Sequence, residues 1–203
     1  MVECIGAAAS SETLSFFLRP EEKKPFSSRK ELWIAIHPGS KDGFKRWPAH
    51  HFAAVGSQLK AALSCEIFIT GTPSELALMK DVAAQIPGAH LMDPHLSLRS
   101  FAAELEQMDL LISNDTGPVH LACALRRPVL AIYSSTDPHL CGPYKALYAT
   151  ALYKRRTCEP CLKRRCRRPF CLLQISIQEA VLTAQKMLAH KKSSPLCSAP
   201  LHD

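Results

Sequence analysis

Apolar and polar positions follow two alternating periods along most of this chain. Residues 32–36 and 65–70 are short apolar runs of strand length, whereas residues 48–63 repeat apolar positions at Phe52, Val55, Leu59 and Leu63, the spacing of one helix face. The same patterns predict helices from Ser74 and over 97–108, 118–125 and 176–189, and strands over 90–93, 109–113 and 128–133. Strands separated by helices are typical of a parallel sheet covered on both faces, so the sequence predicts an α/β, Rossmann-like fold.

Both ends of the chain lack this pattern. Residues 1–30 combine small residues with a charged, proline-containing stretch at 19–25, which predicts a leader or linker. Residues 193–203 are predicted to form a flexible tail. One domain is therefore expected over 31–192, and it includes a Cys-rich basic segment at 154–171.

The composition is that of an ordinary globular chain, with 203 residues of which 47% are hydrophobic and 21% charged. No apolar run approaches the roughly 18 residues of a membrane span, and a start with Glu3 and no basic region makes a poor signal peptide, so we expect a cytoplasmic protein. Nine cysteines, an odd number in a chain of this size, favour reduced thiols.

The net charge of +7 is confined to one end of the chain. Residues 151–203 contain eleven Lys and Arg against three acidic residues, which gives +8 and leaves about −1 for the other 150 residues. The positive field therefore belongs to a local stretch, and no specific nucleic acid is expected as a partner of the domain as a whole.

Candidate chemistry follows four of the predicted strands, where α/β sheets bind their ligands. The loop 37–48 has two glycines, a serine and three cations, a combination that suits a diphosphate. The loop 71–75 brings a carboxylate to a helix start, where it can accept from ribose hydroxyls, and the run 113–120 is a strand-to-helix turn of the kind that collects anions. With the polar loop 134–138, these segments contain what a nucleotide-sugar pocket needs.

Four stretches of the chain resemble a known family. PGSKDGFKRWP, ITGTPSE, SNDTGPVHLACALRRPVLAIYSSTDP and CGPY, in this order, are similar to the C-terminal domain of the ADP-heptose lipopolysaccharide heptosyltransferases, glycosyltransferase family 9. The resemblance covers about residues 32–190, and the DTG-x-x-H-x-x-x-AL turn is its most specific element. It implies the C-terminal, donor-side half of a GT-B fold and a sugar transfer that needs no metal or other cofactor.

The resemblance also implies roles for particular residues. Lys45 and Ser40 are expected to contact the donor phosphates, Glu75 the ribose, and Asp115 the hydroxyls of the transferred heptose. The phosphate end is expected to be completed by the first turn of the following helix, with Thr116, Gly117 and His120. The implied reaction is transfer from an ADP-sugar to the inner core of lipopolysaccharide, at the cytoplasmic surface of the inner membrane.

The chain departs from the family pattern at its start. Family members open with a glycine-rich strand-turn-helix, and their acceptor domain supplies an Asp as the general base, whereas residues 1–30 match neither feature. No catalytic base is therefore expected in this chain. We expect a fragment, a truncated product or a separately encoded donor domain, which would act with an acceptor domain.

The Cys-rich segment supports a hypothesis of a different class. Its four cysteines have the spacing C-x2-C-x4-C-x4-C and could hold Zn²⁺ with four thiolates, at Cys158, Cys161, Cys166 and Cys171. Eight neighbouring Lys and Arg would lower the thiol pKa values or bind an acidic partner. The alternative function is thus a non-catalytic module in which a metal-stabilised basic segment contacts nucleic acid or a partner.

Four of the site residues also have simpler explanations. Asp115 is a good helix cap, and Glu75 is a typical acid of a first helical turn. Lys45 has the composition of a solvated surface cation, and His120 that of a hydrogen-bonded structural histidine.

Overall fold

A single parallel sheet organises the chain. The computed structural model describes residues 14–24, 29–134, 136–142, 146, 148–154, 166 and 170–193. The six strands of the sheet lie in the order β3-β2-β1-β4-β5-β6, and each adjacent pair is parallel. Their bounds are β1 Leu32–His37, β2 Cys65–Ile69, β3 His90–Leu91, β4 Leu110–Asn114, β5 Val129–Tyr133 and β6 Ala149–Tyr153.

Helices connect the strands and cover both faces of the sheet. The helices of the described residues are α1 Ala49–Ala62, α2 Leu76–Ala84, α3 Leu98–Glu106, α4 Gly117–Ala124, α5 Pro138–Cys141, α6 Phe170–Leu173 and α7 Ile177–Ser193. Ser97 caps α3, where its hydroxyl accepts a hydrogen bond from the backbone N–H of Ser100.

Two apolar cores follow from the alternation of side chains along the strands. Ile34 and Ile36 of β1 belong to a core with α1, α2 and α7, whereas Ala35 belongs to a second core with α3 and α4. Both faces of β1, β4 and β5 are therefore covered, which explains why these strands are apolar runs without a polar face.

The predicted Rossmann-like α/β fold is confirmed, with one addition. The sequence pattern indicated five strands, and the structure adds β6 at the edge of the sheet next to β5. Most of β6 is only half-buried, and two of its five residues are alanine, so its apolar signal is weak.

Residues 14–24 pack on the α3 and α4 face of the sheet. Leu18 is buried there, and the N–H of Phe16 donates to the carbonyl of Ala124. Arg99 of α3 binds the carboxylate of Glu22 and the carbonyl of Phe17. The boundary of the domain at residue 31 stays a prediction.

Within the described part of the chain, no helix has both the length and the apolar character needed to cross a membrane.

The turn after α4 holds Arg126 in a strained backbone conformation. Arg126 has φ +56°, in the left-handed region that glycine adopts without cost. Arg126→Gly should therefore be more stable than Arg126→Ala by about 1 kcal/mol, or a few degrees in melting temperature. Both variants lose the same side chain, so equal unfolding free energies in urea would contradict this prediction.

Candidate functional site

The candidate site lies where the order of the strands reverses. β1 and β4 are neighbours, and the chain runs outward from them in opposite directions across the sheet. The loops that leave their carboxyl ends diverge and open a crevice, the place where doubly wound sheets bind ligands. The loop after β1 and the turn into α4 line this crevice.

The carboxamide of Asn114 ties these two segments together. Asn114 ends β4 and is fully buried. Its Nδ2 donates to the carbonyls of Pro38, at 2.8 Å, and Gly39, at 3.2 Å, while its Oδ1 accepts from the N–H of Trp47 at 2.9 Å. The three bonds fix both ends of the loop after β1, so the residues between them are held over the end of β4.

Lys45 and Asp115 form the central ion pair of the site. Lys45 Nζ lies 2.7 Å from Asp115 Oδ2, and the two side chains are only 19% and 8% exposed. Thr136 also donates its hydroxyl to Asp115 Oδ2. The carboxylate therefore does not act as the helix cap that the sequence allowed, and Lys45 is not a solvated cation.

The first turn of α4 is open beside this pair. Thr116 is the N-cap of α4 but its hydroxyl caps no helical N–H; it contacts Ser113 and the carbonyl of Asn114 instead. A Cβ on Gly117 would meet no atom within 4 Å. His120 is half-buried one turn along the helix. Pro118 has no N–H, and the N–H of Val119 donates to the carbonyl of Thr116 at 3.1 Å. The open start of α4 therefore favours an anion mainly through the positive end of the helix dipole.

Glu75 is the second buried acid, with 8% of its side chain exposed. Its Oε2 accepts from the N–H and the hydroxyl of Thr72, at 3.0 and 2.9 Å. Burial raises the pKa of Glu75, but the bonds from Thr72 and the nearby His37 and Arg46 outweigh burial and lower it. Glu75 therefore has the structural role of a capping-box acid and also brings a carboxylate to the site.

Gly39 gives Glu75 its place against the loop. A Cβ at Gly39 would overlap the carboxylate of Glu75, so only glycine allows this close approach. Ser40 is buried next to it, and its carbonyl accepts from Arg46 Nε at 2.7 Å. The loop after β1 is thus closed by its own arginine and rests on the acid that follows β2.

His37 lies at the base of the site and is held neutral. It ends β1, is 5% exposed, and its Nδ1 is buried without a hydrogen-bond partner. Burial lowers the pKa of His37 to about 4, although the charge of Glu75 opposes this shift. A neutral imidazole therefore lies beside an ionised carboxylate at neutral pH.

All seven residues predicted for the donor are found at the carboxyl edge of the sheet. They lie in the loop after β1, at the start of α2 and at the start of α4: Ser40, Lys45, Glu75, Asp115, Thr116, Gly117 and His120. Asn114, His37, Arg46 and Thr136 lie in the segments that the sequence singled out, but no individual role was predicted for them. Position alone could have suggested them, because each follows or ends a strand of the predicted sheet.

The structure describes only part of the proposed zinc site. Cys158 and Cys161 lie outside the described residues, whereas Cys166 and Cys171 are half-buried. Among the described residues there is no group of three or more His, Cys, Asp or Glu that could hold a metal ion. The metal hypothesis, and the alternative function that depends on it, gain no support here.

The chain matches one family of known proteins. The model described as glycosyltransferase family 9 (heptosyltransferase) matches residues 9–171. The chain is 23% identical to lipooligosaccharide heptosyltransferase 2 of Campylobacter jejuni over 162 residues, which cover 76% of this chain and 50% of that protein. The chain thus spans about half the length of this curated relative.

Two solved structures share the fold. The E. coli ADP-heptose lps heptosyltransferase II superposes with a TM-score of 0.73 at 20% identity, over 88% of this chain and 54% of the other. E. coli heptosyltransferase WaaC with ADP gives 0.66 at 21% identity, over 80% and 46%. They confirm the fold predicted for one half of a GT-B heptosyltransferase.

The neutral state of His37 predicts a pH-dependent stability. The folded pKa of about 4 lies below the ordinary value of 6.5, so between these values the unfolded chain binds more protons and the free energy of unfolding rises with pH. We expect the titration of His37 to lower the free energy of unfolding by about 1.5 kcal/mol when the pH falls from about 6.5 to about 5. His37→Gln should remove that component in urea titrations, whereas His50→Gln, at an exposed position of α1, should not. Parallel pH profiles for the wild type and His37→Gln would contradict the assignment.

Proposed function

This chain belongs to glycosyltransferase family 9, and we propose that its residues 31–192 bind an ADP-heptose-type nucleotide sugar as the donor half of a heptosyltransferase. The observation that carries the proposal is the pair of buried acids, Asp115 at the open start of α4 and Glu75 against the loop after β1. Two carboxylates for hydroxyls, with two cations and a helix start beside them, match a sugar, a diphosphate and a ribose.

The diphosphate would be bound by Lys45 and the first turn of α4. Lys45 is held at the end of β4 by its 2.7 Å bond to Asp115, so its position is set before a ligand arrives. The open space at Gly117 would let a phosphate reach the start of α4, where the helix dipole favours negative charge. Ser40, Thr116 and His120 complete this end of the proposed pocket.

The two carboxylates would recognise the two sugars of the donor. Asp115 lies beside Lys45, next to the diphosphate, and would accept from hydroxyls of the transferred heptose. Glu75 lies on the other side of the loop after β1 and would accept from the ribose. Ionised carboxylates form stronger hydrogen bonds with hydroxyls than neutral groups do.

In the proposed reaction, an acceptor hydroxyl attacks the anomeric carbon of the heptose. A new C–O bond forms, the bond between that carbon and the β-phosphate oxygen breaks, and its electron pair leaves with ADP. Lys45 and the positive end of the α4 dipole would stabilise the charge that develops on the departing phosphate. The proton of the acceptor hydroxyl goes to a base supplied by an acceptor-side half.

We further propose lipopolysaccharide core as the acceptor, which would place the protein at the cytoplasmic surface of the inner membrane. The support is that the relatives include a lipooligosaccharide heptosyltransferase and an ADP-heptose lps heptosyltransferase.

Binding of ADP is the first test. Millimolar ADP should raise the melting temperature of the wild type by several degrees, because a ligand that binds only the folded state stabilises it. Lys45→Met should lose most of this shift. Lys41→Met, an exposed cation of the same loop, is the matched control and should keep it. An unchanged melting temperature of the wild type with ADP would refute the proposed donor.

Asp115 is expected to distinguish the sugar from the nucleotide. Asp115→Asn keeps the shape of the side chain and can still accept from Thr136, but it loses the charge. The substitution should therefore lower the affinity for ADP-heptose by about tenfold. ADP should bind at least as tightly as to the wild type, since a negative charge near the diphosphate is removed. Calorimetric titration with both ligands measures the two effects, and an equal loss for both would argue against a contact with the sugar.

A further inference from the structure

We propose that Arg46 is a second phosphate-binding residue, which takes the α-phosphate of the nucleoside diphosphate while Lys45 takes the β-phosphate. This inference rests on the proposed function and adds a residue to it. Its basis is where the structure places two consecutive cations relative to the two buried acids.

The guanidinium of Arg46 lies between the loop after β1 and Glu75. Its Nε donates to the carbonyl of Ser40 at 2.7 Å, and its Nη2 is 3.9 Å from Glu75 Oε1. The side chain is 42% exposed, so a ligand can reach it. Arg46 is thus anchored at one nitrogen, in the crevice where the proposed phosphate loop and the proposed ribose acceptor meet.

Lys45 and Arg46 differ in how closely they contact a carboxylate. Lys45 and Asp115 lie within hydrogen-bond distance and are mostly buried. Arg46 Nη2 and Glu75 Oε1 are 3.9 Å apart, beyond hydrogen-bond distance. Among the described residues, Ser40 is the hydrogen-bond partner recorded for this guanidinium, which has five N–H donors. Arg46 therefore keeps donors for a phosphate.

The order of charges matches the order of groups in the ligand. Lys45 pairs with Asp115 and Arg46 faces Glu75, and because the two cations are consecutive in the chain, these contacts connect an acid, two cations and an acid. A nucleoside diphosphate sugar presents sugar hydroxyls, the β-phosphate, the α-phosphate and ribose hydroxyls. Because Lys45 pairs with the acid proposed for the sugar and Arg46 faces the acid proposed for the ribose, each cation lies nearest one phosphate.

The experiment compares ligands that differ by one group. ADP, AMP and adenosine are titrated into the wild type, Lys45→Met and Arg46→Met by ligand-observed NMR. Both variants replace a cation by an unbranched neutral side chain, and their melting temperatures report whether they fold. Arg46→Lys, which keeps the charge but not the planar donor group, serves as the conservative variant.

A contact with the α-phosphate gives a distinct pattern. Arg46→Met should lower the affinities for ADP and AMP by about tenfold and leave the affinity for adenosine unchanged. Lys45→Met should lower the affinity for ADP and leave the affinity for AMP unchanged. Arg46→Lys should recover part of the affinity for AMP.

Two results with a functional wild type would overturn the inference. If Arg46→Met binds AMP as the wild type does, Arg46 makes no phosphate contact. If Arg46→Met lowers the affinity for adenosine by the same factor as the affinity for AMP, Arg46 acts by holding Glu75 and the loop in place. A wild type that binds none of the three ligands would refute the proposed function itself, and this inference with it.

Discussion

One buried side chain, the carboxamide of Asn114, holds the parts of the site in register. It donates to the carbonyls of Pro38 and Gly39 and accepts from the N–H of Trp47, so both ends of the loop after β1 are attached to the end of β4. Each of these groups is buried, and leaving one unpaired costs about 1–3 kcal/mol. The loop therefore has little freedom, and the directions of Lys45 and Arg46 follow from it.

The fold must also stabilise the two buried carboxylates of the site before a ligand binds. Carboxylates at 8% exposure are tolerated only when they are paired or hydrogen-bonded, and the structure gives each acid a different solution. Asp115 is matched by a cation and a hydroxyl, whereas Glu75 is matched mainly by Thr72. A phosphate that binds Lys45 must therefore share it with Asp115, so the affinity measured is the net of two competing contacts.

Local patterns predicted the fold well because β1, β2, β4 and β5 are short apolar runs, and they predicted the site residues because these follow strand ends. The half-buried edge strand β6 lacked such a run. Local patterns could not predict which residues of the site contact one another. Lys45 and Asp115 are 70 residues apart, and Asn114 and Pro38 are 76 apart. Local periodicity carries no information about contacts over such distances, so the clamp at Asn114, the partner of Lys45 and the orientation of Arg46 required the structure.

The electrostatics of the site also bear on where the attacking hydroxyl finds its base. A general base works best when its pKa lies near the working pH. Glu75 has a lowered pKa, and His37 has one near 4 and is buried, so both are weak proton acceptors at neutral pH. Asp115 is engaged with Lys45 and Thr136. On the proposed function, these groups bind the donor and stabilise its leaving group, and the proton is taken by the acceptor-side half. The contacts that lower the pKa of Glu75 and the burial that lowers the pKa of His37 make both groups poor bases.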